Sequence, residues 1–195
     1  MANDQQPLTK EAILDAAEQV LRRYGPEKTS VVDVAKVLQV SHGTLYRHFP
    51  SKSALREAVT ERWLLGLASS LQEIANQTEG QARDRLRLWL DTLVVFKRNY
   101  VLEDPEMFSM YRSVTQEAVK LIQDHVHQLI QQITQIVDAG VKTQEFHVDA
   151  SEDAARAIFL ATSRFHHPAH APEWLDSTNA ADFERVWQLV LKGIS

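Results

Sequence analysis

The sequence predicts an all-α fold of about nine helices. Two observations carry that expectation. Apolar residues recur at i, i+3, i+4 and i+7 in segment after segment, the period of a helix face. No segment shows a strand pattern, and Gly, Pro, Ser and Asp fall where helices would start and stop.

The chain has 195 residues, 44% hydrophobic and 24% charged. That allows one large or two small domains with a proper core. There is no cysteine, which excludes disulfides and thiolate metal sites. No apolar run approaches the ~18 residues of a membrane span, and MANDQQPLTK has no signal-peptide core. A cytoplasmic protein without membrane attachment is expected. Residues 1–63 carry nine Lys/Arg against eight Asp/Glu, a net +1, which leaves −6 for the rest of a chain of formal charge −5. Charge alone does not point to nucleic acid.

Residues 1–8 lack periodicity and read as a frayed arm. A first helix starts near Thr9, carries Ile13, Ala16, Ala17, Val20, Leu21 and Tyr24 inward, and stops at Gly25-Pro26. A second covers Val31–Leu38, with Val31, Val34, Ala35 and Leu38 on one face and Thr29 or Ser30 as cap. Gln39-Val40 connect it to a third, His42–Phe49, capped by Ser41 and anchored by Leu45 and Phe49. Two short helices at this spacing form a helix-turn-helix, whose second helix enters the DNA major groove N-terminus first.

A fourth helix, capped by Ser51, runs from Lys52 to about Ala75 with Leu55, Val59, Trp63, Leu67, Leu71 and Ile74 on its stripe. QTEG at 77–80 is a loop. A fifth helix, about Ala82–Tyr100, is apolar on most faces and reads as a buried central helix. Asp104-Pro105 opens a short sixth, with Asp as cap and Pro at the first position. A seventh, about Gln116–Ala139, has Val119, Ile122, Val126, Leu129, Ile133 and Ile136 on one stripe and ends at Gly140. After a connector, Ser151 opens an eighth with Ala155, Ile158, Thr162 and Phe165 inward. A loop over 166–178 precedes a ninth, whose apolar face is Phe183, Val186, Trp187, Val190 and Ile194.

The stretch from Thr9 to Val59, above all AILDAA, TSVVDVA and VSHGTLYRHFPSK, resembles the DNA-binding region of the tetracycline-repressor (TetR) family of transcription regulators. The likeness in detail covers about the first third of the chain; beyond it only the helical layout is similar. It implies a DNA-binding domain over residues 1–50 and an effector-binding and dimerisation domain over 51–195. Two departures stand out. Many members have glycine where this chain has Gln39, which must therefore take strained geometry or a different turn. Val32 replaces a residue that is often arginine or polar, removing one phosphate contact.

The candidate DNA contacts are Ser30, Ser41, His42, Gly43, Thr44, Tyr46, Arg47, His48 and Lys52. Short donors around helix starts satisfy phosphate oxygens and fix register. The resemblance places Thr44, Tyr46, His48 and Lys52 on the backbone. His42 and Arg47 carry donors for base edges, and Gly43 permits close approach. Lys52, at the first position of its helix, opposes the helix dipole but can grip one phosphate together with the helix N-terminus.

Candidate effector contacts are Trp89, Leu93, Phe96, Met107, Met110, Tyr111, His125, Phe165 and His166. Core packing is the competing explanation for each. The resemblance places the effector among helices five to eight, and a homodimer interface on helices eight and nine.

His166, His167 and His170 in FHHPAH raise the alternative of a metal-dependent protein, but His125 and His127 point to different faces, and no helix-borne carboxylate partner stands four residues away. No metal, cofactor or catalytic role is expected: Walker, zincin and nucleophile-elbow motifs are missing. The expected function is a ligand-responsive repressor that binds a palindromic double-stranded operator as a dimer and is released by a small-molecule effector. The rival is a small-molecule-binding helical module without specific DNA binding.

Overall fold

The computed structural model describes residues 8–195, so the expected arm lies, but for Leu8, outside the described residues. Those residues form nine α-helices and three short 3-10 helices, with no strand among them. The α-helices are α1 Lys10–Tyr24, α2 Val31–Leu38, α3 His42–Tyr46, α4 Lys52–Ala75, α5 Ala82–Glu103, α6 Pro105–Glu117, α7 Val119–Lys142, α8 Ser151–Ala161 and α9 Asn179–Ile194. The chain divides into two compact units: residues 1–63 with 104–121, and residues 64–103 with 122–195. The boundary expected near residue 50 falls inside the first of these.

The first unit is built on α1. Its inner face buries Ile13, Ala16, Ala17, Val20 and Leu21, and against them lie Val31, Val34 and Ala35 of α2 and Leu45 of α3. Side-chain caps start the helices where the sequence places them. Thr9 Oγ1 accepts from Ala12 N at 3.1 Å, Ser30 Oγ from Asp33 N at 3.3 Å, Ser41 Oγ from Thr44 N at 3.2 Å, and Ser51 Oγ from Ala54 N at 3.0 Å. Gly25 ends α1 at φ 81°, and a Cβ there would meet the Glu106 carboxylate of α6 at 3.0 Å. Asp104, the N-cap of α6, accepts from Arg22 Nε at 2.8 Å. Arg62 of α4 donates to Asp15 and Glu18 of α1. The sixth helix thus belongs to the unit that carries the helix-turn-helix. It is 13 residues long, capped by Asp104 as expected, and breaks from α7 at Ala118.

The second unit packs α5, α7, α8 and α9 around a core that includes Leu86, Trp89, Leu93, Ile133, Ile136, Ile158, Phe165, Phe183 and Trp187. Arg87 of α5 reaches α9, donating to Glu184 at 2.6 Å and lying 5.2 Å from the Phe183 ring. Glu145 caps α5, accepting from Ala82 N at 3.1 Å.

Several expectations need correction. Helix α5 is not apolar-buried all round: Leu88 and Val95 are exposed, because neighbouring helices cover only one side. The buried face of α7 is rotated from the expected stripe. Val119 is exposed and His125 and Gln132 are buried; Gln132 is hydrogen-bonded there at both ends of its amide. Gly140 does not end α7, which runs on to Lys142; its missing Cβ makes room for Phe146. Helix α3 ends at Tyr46, three residues early, although Phe49 N still bonds to Leu45 O at 2.9 Å and keeps its ring inside. The loop over 166–178 contains a 3-10 helix, Pro168–Glu173, pinned by the buried Trp174, whose indole donates to Arg164 O at 2.9 Å.

Candidate functional site

The turn between α2 and α3 sets the presentation of α3. Of the two expectations for Gln39, strained geometry or a different turn, the first holds: it is left-handed, φ 55° and ψ 38°. Three residues, Gln39 to Ser41, then link α2 to α3, and Ser41 caps α3. Ser41 Oγ also lies 2.8 Å from Thr44 Oγ1. Leu45 and Phe49 are buried, which turns the other side of α3 to solvent. Ser41, His42, Gly43, Tyr46, Arg47 and His48 are exposed there and Thr44 is half-buried. Tyr46 is 46% exposed, a large aromatic with no apolar reason to stay out of the core. One helical surface therefore offers hydroxyls, imidazoles, a guanidinium and a glycine, a donor set suited to phosphates and base edges.

Ser30 sits at the start of α2, its Oγ 2.5 Å from Asp33 Oδ2 as well as capping Asp33 N. Lys52 is half-buried and donates to the Glu27 carbonyl at 2.6 Å, with the Glu27 carboxylate 3.7 Å away. In this conformation it closes the turn after α1, and reaching a phosphate requires it to exchange that acceptor.

Family models match both halves of the chain. Residues 13–59 match bacterial regulatory proteins of the tetR family, and residues 82–187, more than half of the chain, match the tetracyclin repressor-like C-terminal domain. The chain belongs to the TetR family. A nucleoid occlusion factor, SlmA of Vibrio atlanticus, is 35% identical over 97 residues, about half the length of either chain. SlmA of Photobacterium profundum is 28% identical over 202 residues, 97% of each. Among solved structures, SmeT, the repressor of the Stenotrophomonas maltophilia multidrug efflux pump SmeDEF, gives a TM-score of 0.67 at 17% identity. The match covers 96% of this chain and 90% of that one, a likeness of fold. As a TetR-family protein the chain is a DNA-binding transcriptional regulator, and its α2–α3 helix-turn-helix lies within the segment that matches the family's regulatory domain.

The nine residues proposed for an effector fall in both units. Trp89, Leu93, His125, Phe165 and His166 are buried in the second, with Phe96 half-buried. Met107, Met110 and Tyr111 are buried in the first, where the Tyr111 ring lies 4.8 Å from Trp63. Burial pushes the Tyr111 phenol well above its ordinary value.

Lys97 of α5, buried in the second unit, was missed by the sequence reading. Burial lowers it to about 7. Burial first, and the charge of Lys97 second, hold both His125 and His166 down to about 3. Its signal was available: Lys97 follows Leu90 and Leu93 at i+7 and i+4, a cation on an apolar stripe. Arg56 and Thr60 of α4, also buried, were missed in the same way.

The FHHPAH histidines diverge. His166 is buried, 3.3 Å from Thr162 Oγ1, whereas His167 accepts from Ala169 N and His170 lies 3.1 Å from Glu173. Among the described residues no group of three His, Asp or Glu side chains is placed to hold a metal ion. Nor, among them, is any helix long and apolar enough to cross a membrane.

Proposed function

We propose that this TetR-family chain is a cytoplasmic, ligand-responsive repressor that works by binding and not by catalysis. Residues 1–50 form the DNA-binding domain, with Lys52 just beyond it adding a contact, and residues 51–195 hold the effector and the dimer interface. The observation that carries the reading is the exposed polar face of α3, fixed from behind by Leu45 and Phe49 and from in front by the Ser41 cap. Ser30, Ser41, Thr44, Tyr46, His48 and Lys52 hold phosphates; His42, Gly43 and Arg47 meet base edges. One such unit covers too little DNA for specificity, so two copies related by a twofold bind a palindrome. Helices α8 and α9 support self-association: Leu160 is 62% and Leu189 72% exposed, apolar side chains that a second copy would cover.

The effector acts through its different affinity for two conformers, of which one holds the reading helices a helical turn apart. Selection of bound duplexes from a random library, at stated salt, tests the reading. The expected result is a palindrome with half-sites ~34–36 Å apart or a multiple of it. Binding without a motif that vanishes at ~150 mM salt would indicate phosphate contact alone and overturn it.

A further inference from the structure

We propose that Arg56 and Thr60 form a buried anion site in the seam between α4 and α6, and that it takes the carboxylate of an apolar small-molecule effector. The proposal rests on the effector-binding reading above and names the chemical class of the effector.

Arg56 is only 8% exposed and Thr60 is fully buried. The Nε and Nη2 atoms of Arg56 and the Oγ1 of Thr60 have no hydrogen-bond partner among the described residues. Nε–H and Nη2–H form one edge of the guanidinium fork, the edge that meets both oxygens of a single carboxylate. The remaining nitrogen, Nη1, stands 4.0 Å from Glu117 Oε2, beyond hydrogen-bond length, and the Glu117 side chain is 52% exposed. Glu117 therefore stays at the rim, its charge weakened by solvent, and does not engage the Nε–Nη2 edge. Thr60 lies one turn along α4 on the same face, so its hydroxyl adds a third donor beside the fork.

The surroundings match a carboxylate with an apolar body. Arg56 meets Glu117 and Trp63 meets Tyr111, so α4 and α6 run antiparallel with Thr60 between the two contacts. Met107, Met110 and Tyr111 of α6 are buried in the same unit. The guanidinium carries one positive charge, partly offset by the half-exposed Glu117 at the rim, so the site disfavours a phosphate dianion more than a monoanion. A buried charged donor without an acceptor is costly, and an anion that satisfies three such atoms at once recovers that cost on binding. Helix α6 is also tied to α1 through Arg22 and Asp104, so a ligand that resets the α4–α6 seam acts on the helix behind the reading head.

The test uses the full-length protein and a panel of straight-chain monocarboxylates from acetate to decanoate, each beside the matching primary alcohol. Melting temperature and release of the selected operator duplex are read together. At saturation, ~100 times the dissociation constant, the longer carboxylates are expected to raise Tm by about 5–10 °C. The alcohols should do less, Arg56→Met should abolish the rise, and Thr60→Val and Arg56→Lys should weaken it. Circular dichroism verifies that each variant folds; if Arg56→Met does not, Arg56→Lys and Thr60→Val decide. No saturable rise with any carboxylate, or an equal rise in the variants, overturns the anion site. If uncharged compounds from a general library release the operator equally from wild type and Arg56→Met, the effector reading stands and only the anion site falls.

Discussion

Trp89 donates its indole N–H to Gln132 Oε1 at 3.0 Å inside the second unit, and Gln132 passes its own amide on to the Ala68 carbonyl at 2.9 Å. One buried glutamine thus pins α5, α7 and α4 together with both ends of its amide in use. Gln132→Leu keeps the volume but strands the indole donor. It should cost about 1–3 kcal/mol, measured by urea unfolding with an unchanged m-value. Gln132→Glu should cost more, because it buries a carboxylate in place of an amide.

Gln39 pays a backbone penalty for the turn that aims α3. Left-handed geometry costs a residue with a Cβ on the order of 1 kcal/mol, and glycine carries no such cost. Gln39→Gly should therefore stabilise the protein by about 0.5–1 kcal/mol, less its greater unfolded-state entropy. The check is a rise of about 2 °C in Tm with operator affinity unchanged. A fall in Tm would mean that the Gln39 side chain contributes more than its backbone costs.

Gly140 is defined by the ring of Phe146, not by the end of a helix. A Cβ at Gly140 would overlap the ring atoms of Phe146, which is itself 1% exposed and has nowhere to go. Gly140→Ala should destabilise by about 1–3 kcal/mol in spite of the helix-propensity gain. Gly66→Ala, in α4 with open space around its Cβ position, should instead stabilise by about 0.5–1 kcal/mol. Paired denaturation curves give the contrast directly.

The buried bases make stability depend on pH from both sides. His125 and His166 are held down to about 3, so the unfolded chain binds more protons than the folded one below the ordinary histidine value near 6.5. Stability should fall as pH drops from ~6.5 toward 3. Lys97, lowered to about 7, extends the same trend on the alkaline side: between about 7 and 10.5 the unfolded lysine again holds the extra proton, so this group adds stability as pH rises. Lys97→Met should remove the alkaline gain and, by withdrawing the neighbouring charge, let both histidines protonate at higher pH. Tm followed from pH 4 to 9 in wild type and variant checks both slopes.

The sequence by itself determined the α-helix inventory, the caps and the exposed face of α3. These are local matters. Thr9, Ser30, Ser41 and Ser51 cap helices because a short oxygen side chain reaches an N–H two or three residues on, and no distant residue can alter that geometry. Leu45 and Phe49 face inward because their spacing leaves them no other side.

Tertiary structure alone decided which helices share a unit and which polar groups enter the core. Nothing local to α6 says that it packs with α1 and α4, because that choice is made by Arg22 meeting Asp104 across 82 positions of sequence. Hydrophobic periodicity can place a polar residue such as Lys97 on an apolar stripe, but it does not decide whether Gln132, Lys97, Arg56 and Thr60 are buried or reach solvent. Their burial depends on neighbours from other helices, and so their chemistry becomes visible only when the helices are packed.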